Sequence, residues 1–230
     1  MWPILFAFVL LAIAAVAAVV AMWESRCWAL RWGATPGELK RSWPGDELSP
    51  RATEVTTRAV TIEAPAETVW SWIVQIGQDR AGFYSYTWLE NLFRCAMPRV
   101  ETIVAEWQHR TLGDIVWLAR PDRYGGEARQ RVVAIDQGRV LSLASPSDWG
   151  RLVRRETSLG GTWTFILVPV DVHRTRLVVR SRGPEAPTFL SRLFLMTVFE
   201  PAHFIMERKM MRSLKALAER SRSLAVPLAS

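Results

Sequence analysis

The side chains of this 230-residue chain best placed for chemistry are His203 and Glu207, four residues apart. On a helix, a carboxylate one turn from an imidazole can hold its tautomer and raise its basicity, which general acid/base work needs. Tyr84 offers a phenol as a further proton carrier, and Glu90 with Asn91 can complete a polar cluster. Arg180 and Arg182 fall on one face of a strand; turned inward they would grip a carboxylate or phosphate, turned outward they would be solvated. A structural alternative stays open for the acids, since Glu90 or Glu207 can simply neutralise Arg180, Arg182 or Arg208. Other chemistries lack their groups. Glu200 and His203 have the spacing of half a di-iron ligand set, but no second copy exists. Cys27 and Cys95 form no CxxC pair or Cys/His cluster, so no metal is expected. With no Gly-rich loop entering a helix, nucleotide folds drop out and no cofactor is expected.

These groups must be carried by regular elements. Proline belongs in a first helical turn, so a long helix is expected from Pro201 to about Arg222, with Glu200 as its cap. At 100° per residue His203, Glu207, Met210, Leu214 and Leu217 lie within about 80° of one another, so the buried face starts polar and ends apolar. Upstream, Val-Thr-Thr-Arg-Ala-Val-Thr-Ile-Glu reads as a strand over 54–63, and Pro65 opens a nearly all-apolar helix over 65–76. A second short helix is expected around Thr87 to Phe93. The period then changes to two: strands at Ile115–Ala119, Ala128–Ile135, Val140–Ala144, Thr162–Val170 and Arg176–Arg182 are joined by short turns, as in an antiparallel meander. The fold class is α+β, a curved antiparallel sheet wrapped around a long C-terminal helix.

Half of the residues are hydrophobic and 22% charged, a globular balance. A formal charge of +7, from 29 Lys+Arg against 22 Asp+Glu, favours anionic surfaces. From Trp2 to Trp23 no residue is charged, and a helix of that length spans about 33 Å, enough to cross a bilayer. A signal peptide is the competing reading, but no basic residue precedes the apolar run. Arg26, Arg31, Lys40 and Arg41 follow it, so the positive-inside rule places the rest of the chain in the cytoplasm, single-pass at the cell membrane. Residues 24–53 form an aromatic juxtamembrane linker with a capping box at Thr35-Pro36-Gly37-Glu38, and residues 54–222 form the folded domain.

Three stretches resemble a known group: Ile62-Glu63-Ala64-Pro65-Ala66-Glu67-Thr68-Val69-Trp70, Gly82-Phe83-Tyr84-Ser85-Tyr86-Thr87-Trp88-Leu89-Glu90-Asn91, and Glu200-Pro201-Ala202-His203-Phe204-Ile205-Met206-Glu207-Arg208-Lys209-Met210. They look like the START-like helix-grip superfamily, its SRPBCC group of polyketide cyclases and lipid-transfer proteins, and within it a membrane-anchored subgroup. The resemblance covers about residues 54–222 and implies a cavity for a hydrophobic small molecule or lipid. Its candidate lining is Trp70, Tyr84, Tyr86, Trp88, Glu90, Asn91, Trp117, Trp163, His203, Glu207 and Met210, with core packing as the competing role for the aromatics. Three functions stay open: a carrier or binder; a cyclase- or dehydrase-type enzyme moving a proton with His203, Glu207 or Tyr84; and a membrane-proximal interaction module. The basic helix face lacks interleaved aromatics, so nucleic acid is not an expected partner and the anionic membrane surface is.

Overall fold

The computed structural model describes residues 11, 14, 17, 20–184 and 187–225. Most of the apolar 2–23 segment lies outside the described residues, so the expected transmembrane anchor does too. Among the described residues, the helix long and apolar enough to cross a membrane is C-terminal, spanning Phe189–Ser221.

Helix α1 occupies residues 20–30. The short α2 (Pro36–Lys40) follows with the expected capping box: Thr35 Oγ1 accepts from Glu38 N at 3.2 Å and Glu38 Oε2 accepts from Thr35 N at 2.7 Å. Strand β1 (Val55–Ile62) leads into α3 (Ala66–Ile73), then α4 (Thr87–Leu92), β2 (Ile115–Trp117), β3 (Arg129–Asp136) and β4 (Val140–Ala144). Helix α5 (Pro146–Val153) interrupts the meander, and β5 (Thr162–Asp171) and β6 (Arg174–Arg182) complete it. All neighbours in the six-stranded sheet pair antiparallel, in the order β1-β6-β5-β4-β3-β2. The first strand thus closes on the last.

Helices α6 (Phe189–Phe194) and α7 (Glu200–Ala225) run on through a π-helical turn at Leu195–Phe199. The expected break at Glu200 does not occur. Glu200 has helical angles, φ −60 and ψ −46, and its N–H donates to Leu195 O five residues back. A proline inside a helix crowds the carbonyl four residues before it; the wider turn just upstream relieves that clash and lets Pro201 sit in a continuous rod.

On the concave side of the sheet one apolar cluster joins Ile62, Phe165, Leu167, Leu177 and Val179 to Trp70, Trp72 and Ile73 of α3 and to Met210, Met211, Leu214 and Ala218 of α7. This is the grip that the binary pattern demands: the sheet's inward residues bury the apolar stripe of α7. Arg110, fully buried, fastens α3 to the rest by donating to Val74 O at 2.9 Å and Ile76 O at 2.8 Å, the carbonyls that a helix end leaves unpaired.

The convex side is covered by the segment after α1. Trp43, 3% exposed, packs on Ala59, Val140, Ile166 and Val178 and donates from Nε1 to Glu38 O at 2.8 Å. Gly33, at φ 72, lets this strap cross β1, because a Cβ there would stand 2.1 Å from Ala59 O. Arg180 donates to Asp46 Oδ1 at 2.6 Å, Arg182 lies 3.2 Å from the same oxygen, and Arg176 donates to Glu38 at 2.8 Å. This corrects the expectation for Arg180 and Arg182. They face outward yet are not solvated, and their acid is Asp46 on the strap, neither Glu90 nor Glu207.

Candidate functional site

Arg58 sits in the middle of β1, where alternation gives Thr56, Arg58, Val60 and Ile62 to the concave side. It is 1% exposed. A bare guanidinium there would cost several kcal/mol, on the order expected for an ion taken out of water. Its Nε and Nη1 accordingly find acceptors. Nε donates to Ala29 O at 2.8 Å, Nη1 donates to Glu207 Oε2 in a short bond, and the same Nη1 lies 3.3 Å from His203 Nδ1. Glu207 Oε1 accepts from Trp163 Nε1 at 2.7 Å.

That geometry sets the state of His203. Its Nε2 stands 3.8 Å from Glu207 Oε1, beyond hydrogen-bond reach, and both carboxylate oxygens already accept from Arg58 and Trp163. Guanidinium can only donate, so Nδ1 accepts and the neutral ring carries its proton on Nε2. Burial lowers the His203 pKa below its ordinary value and the Arg58 charge lowers it further, while Glu207 opposes them. The ring stacks on Phe199 at 5.4 Å and meets Trp163 edge-on at 5.8 Å. The result is a neutral imidazole held by a buried ion pair, with a quarter of its side chain still open.

Beside this node lie two further groups on the concave face. Thr56 and Ser181 are directly opposed between β1 and β6, and Ser181 is in turn opposite Trp163 on β5. The hydroxyls of Thr56 and Ser181 are both buried without a hydrogen-bond partner among the described residues. A buried orphan hydroxyl costs about 1–3 kcal/mol, so a pair of them side by side needs a reason.

The other sequence candidates are distributed. Trp163, His203 and Glu207 meet at the node. Trp70 and Met210 are core residues between sheet and helices. Tyr84 packs against the same core; its hydroxyl donates to Trp72 O at 3.1 Å and accepts from Gln75 Nε2 at 2.9 Å, and burial pushes its pKa up. Tyr86 precedes α4 and faces α7. Trp88 is 69% exposed. Asn91 closes a loop onto Met97, donating to its O at 3.0 Å and accepting from its N at 2.6 Å. Trp117 lies under the Arg129 guanidinium at 5.8 Å. Glu90 is buried on α4 with Oε2 unpartnered, and burial pushes its pKa up to about 7. Arg58, Thr56 and Ser181 were not among the candidates. The signal for Arg58 was a charge at an inward position of a strand whose next inward residues are Val60 and Ile62.

The fold and node together define an α+β domain whose antiparallel sheet grips a long helix through an apolar core capped by a buried Arg–Glu–Trp–His network. No family model matches the chain, and no curated protein does. Solved structures similar to it include a protein from Thermobifida fusca, at 15% identity over 72% of this chain and 93% of that one with a TM-score of 0.43. Another is the Aha1 dimer of Colwellia psychrerythraea, at 13% identity over 73% and 97% with a TM-score of 0.41. A Polyketide_cyc-like protein of Corynebacterium glutamicum matches at 12% identity over 76% and 96%, with a TM-score of 0.35.

Proposed function

We propose that the chain is a START-like, SRPBCC-type domain, tethered to the cell membrane by residues 2–23 with the domain in the cytoplasm, that binds a hydrophobic small molecule or lipid on its concave side. The observation that carries this reading is the pair of orphan hydroxyls, Thr56 and Ser181, set beside Trp163 on the same side of the sheet as the apolar cluster. An amphipathic ligand would take its hydrogen bonds from these hydroxyls and lay its apolar body toward Phe199 and the helix before it. The exposed apolar residues there, Phe194 at 56%, Val198 at 53% and Phe199 at 49%, support the same placement.

Binding is favoured over proton transfer by the state of His203. Both oxygens of Glu207 are engaged and Nδ1 is occupied, so neither Glu207 nor His203 Nδ1 is held ready as a base. The third reading, an interaction module working through the aromatic linker, is weakened because Trp43 is buried on the sheet and Trp28 packs edge-on against Phe204 at 5.3 Å.

The test is native mass spectrometry of the full chain, purified in mild detergent from its own membranes. An adduct that organic extraction removes, and that Thr56→Val with Ser181→Ala no longer retains, supports the reading. Ligand-free protein that also takes up no added fatty acid or isoprenoid alcohol overturns it.

A further inference from the structure

The outward face of α7 carries a second site, distinct from the concave groove. A small pocket of about 90 Å³ is lined by Tyr86, Phe204, Ile205, Arg208, Lys209 and Arg212. Three cations within little more than one helical turn repel one another, and like charges at such spacing destabilise a helix. No carboxylate relieves them: among the described residues none of the three makes an ion pair or a hydrogen bond, and Arg208 Nε is buried without a partner. Aromatic faces fix two of them in place. Arg208 lies 5.6 Å from the Trp28 ring and 5.4 Å from Trp32, and Arg212 lies 5.7 Å from Trp32. Such stacking orients a guanidinium while leaving its in-plane donors free for an oxyanion.

We propose that this pocket binds the phosphate of an anionic lipid headgroup. The lipid source is favoured by what adjoins the cations. Ile205, 52% exposed, lines the pocket, and the rod continues through the exposed Val198 and Phe194. A phosphate at Arg208 and Arg212 would therefore have an apolar track beside it for acyl chains, which a soluble anion or a nucleic acid does not need. The inference rests on the membrane-tethered reading for its lipid supply; it uses neither Thr56 nor Ser181, and shares with the concave site only the exposed apolar side chains of the helix before Glu200.

The experiment uses the full chain in mild detergent, offered phosphatidylglycerol or phosphatidylcholine and read by native mass spectrometry. Phosphatidylglycerol is expected to be retained over phosphatidylcholine, and Lys209→Gln with Arg212→Gln to weaken its retention about twenty-five-fold, at about fivefold per cation lost. Both side chains are exposed, so this variant avoids the packing of Arg208 on its rings. A charge-matched control, Lys40→Gln with Arg123→Gln, is expected to bind as the parent does. Equal retention of the two lipids, or undiminished phosphatidylglycerol on the double variant, overturns the proposal. Displacement by excess glycerol phosphate overturns the lipid source in favour of a soluble anion. The extractable adduct of the concave groove is read in the same spectra and depends on Thr56 and Ser181, so either reading can fail while the other stands.

Discussion

Trp163 Nε1 donates to Glu207 Oε1 at 2.7 Å, and this bond decides what the neighbouring imidazole can do. With Arg58 on the other oxygen, Glu207 serves the interior and leaves His203 without a carboxylate to orient it. Glu207→Gln should strand Arg58 as a buried, unpaired cation and cost about 3–5 kcal/mol. Replacing both partners, Arg58→Met with Glu207→Leu, should recover most of that loss. Urea unfolding followed by Trp fluorescence checks both; a double variant as weak as the single one would show that the pair stabilises beyond mutual neutralisation.

Glu90 gives a pH-dependent prediction. Its carboxyl is raised from 4.5 to about 7 by burial, so the folded state holds the proton more tightly than the unfolded chain does. Stability is therefore highest below the unfolded pKa and is lost as pH rises from about 4.5 through about 7. Glu90→Gln should stabilise the protein at pH 8 by on the order of 1–3 kcal/mol and leave it unchanged near pH 4. Melting midpoints across that range would reveal the difference, and a constant offset would contradict it.

The strap over the convex face should behave as part of the folded unit. Trp43→Ala should cost about 3–5 kcal/mol, the range for a large buried aromatic. Asp46→Asn should cost nearly as much, because it leaves Arg180 and Arg182 with no carboxylate in contact. If either variant unfolds at the parent's denaturant midpoint, the strap is dispensable.

The orphan hydroxyls should trade stability for binding. Without ligand, Thr56→Val with Ser181→Ala should raise the unfolding free energy by about 1–3 kcal/mol per hydroxyl removed. With ligand present, the variant should gain less than the parent. Calorimetric melts of extracted and ligand-loaded protein would compare the two.

Much of the fold was legible because its signals are local. Alternation located the strands to within a few residues, and Thr35-Pro36-Gly37-Glu38 fixed α2 by backbone capping alone. Ser145-Pro146-Ser147-Asp148 carries similar logic, with Ser145 Oγ accepting from Asp148 N at 3.2 Å, yet the alternating strands on either side hid α5. The rod through Pro201 was not legible, because a π-turn has no sequence signature as plain as a proline's. Partners across the sheet were the hardest part. Arg58 and Glu207 are 149 residues apart, and nothing near either names the other. His203, Glu207 and Trp163 were recognisable as residues that matter, but which of them holds which depends on the register of β1, β5 and α7.

The closure of β1 on β6 has a consequence for how the chain comes into being. Synthesis delivers β1 first, yet its one neighbour in the sheet is the last strand made. Arg58 emerges from the ribosome well over a hundred residues ahead of the carboxylate that neutralises it, and Arg26 leads Glu200 by 174. Such non-local pairing is slow to form, and a nascent strand without a neighbour is open to wrong partners. An early strand carrying a charge at an inward position is a poor template for other chains, because pairing with them would bury that charge uncompensated. The same arginine that completes the core at the end of translation thus guards the unfinished chain before it.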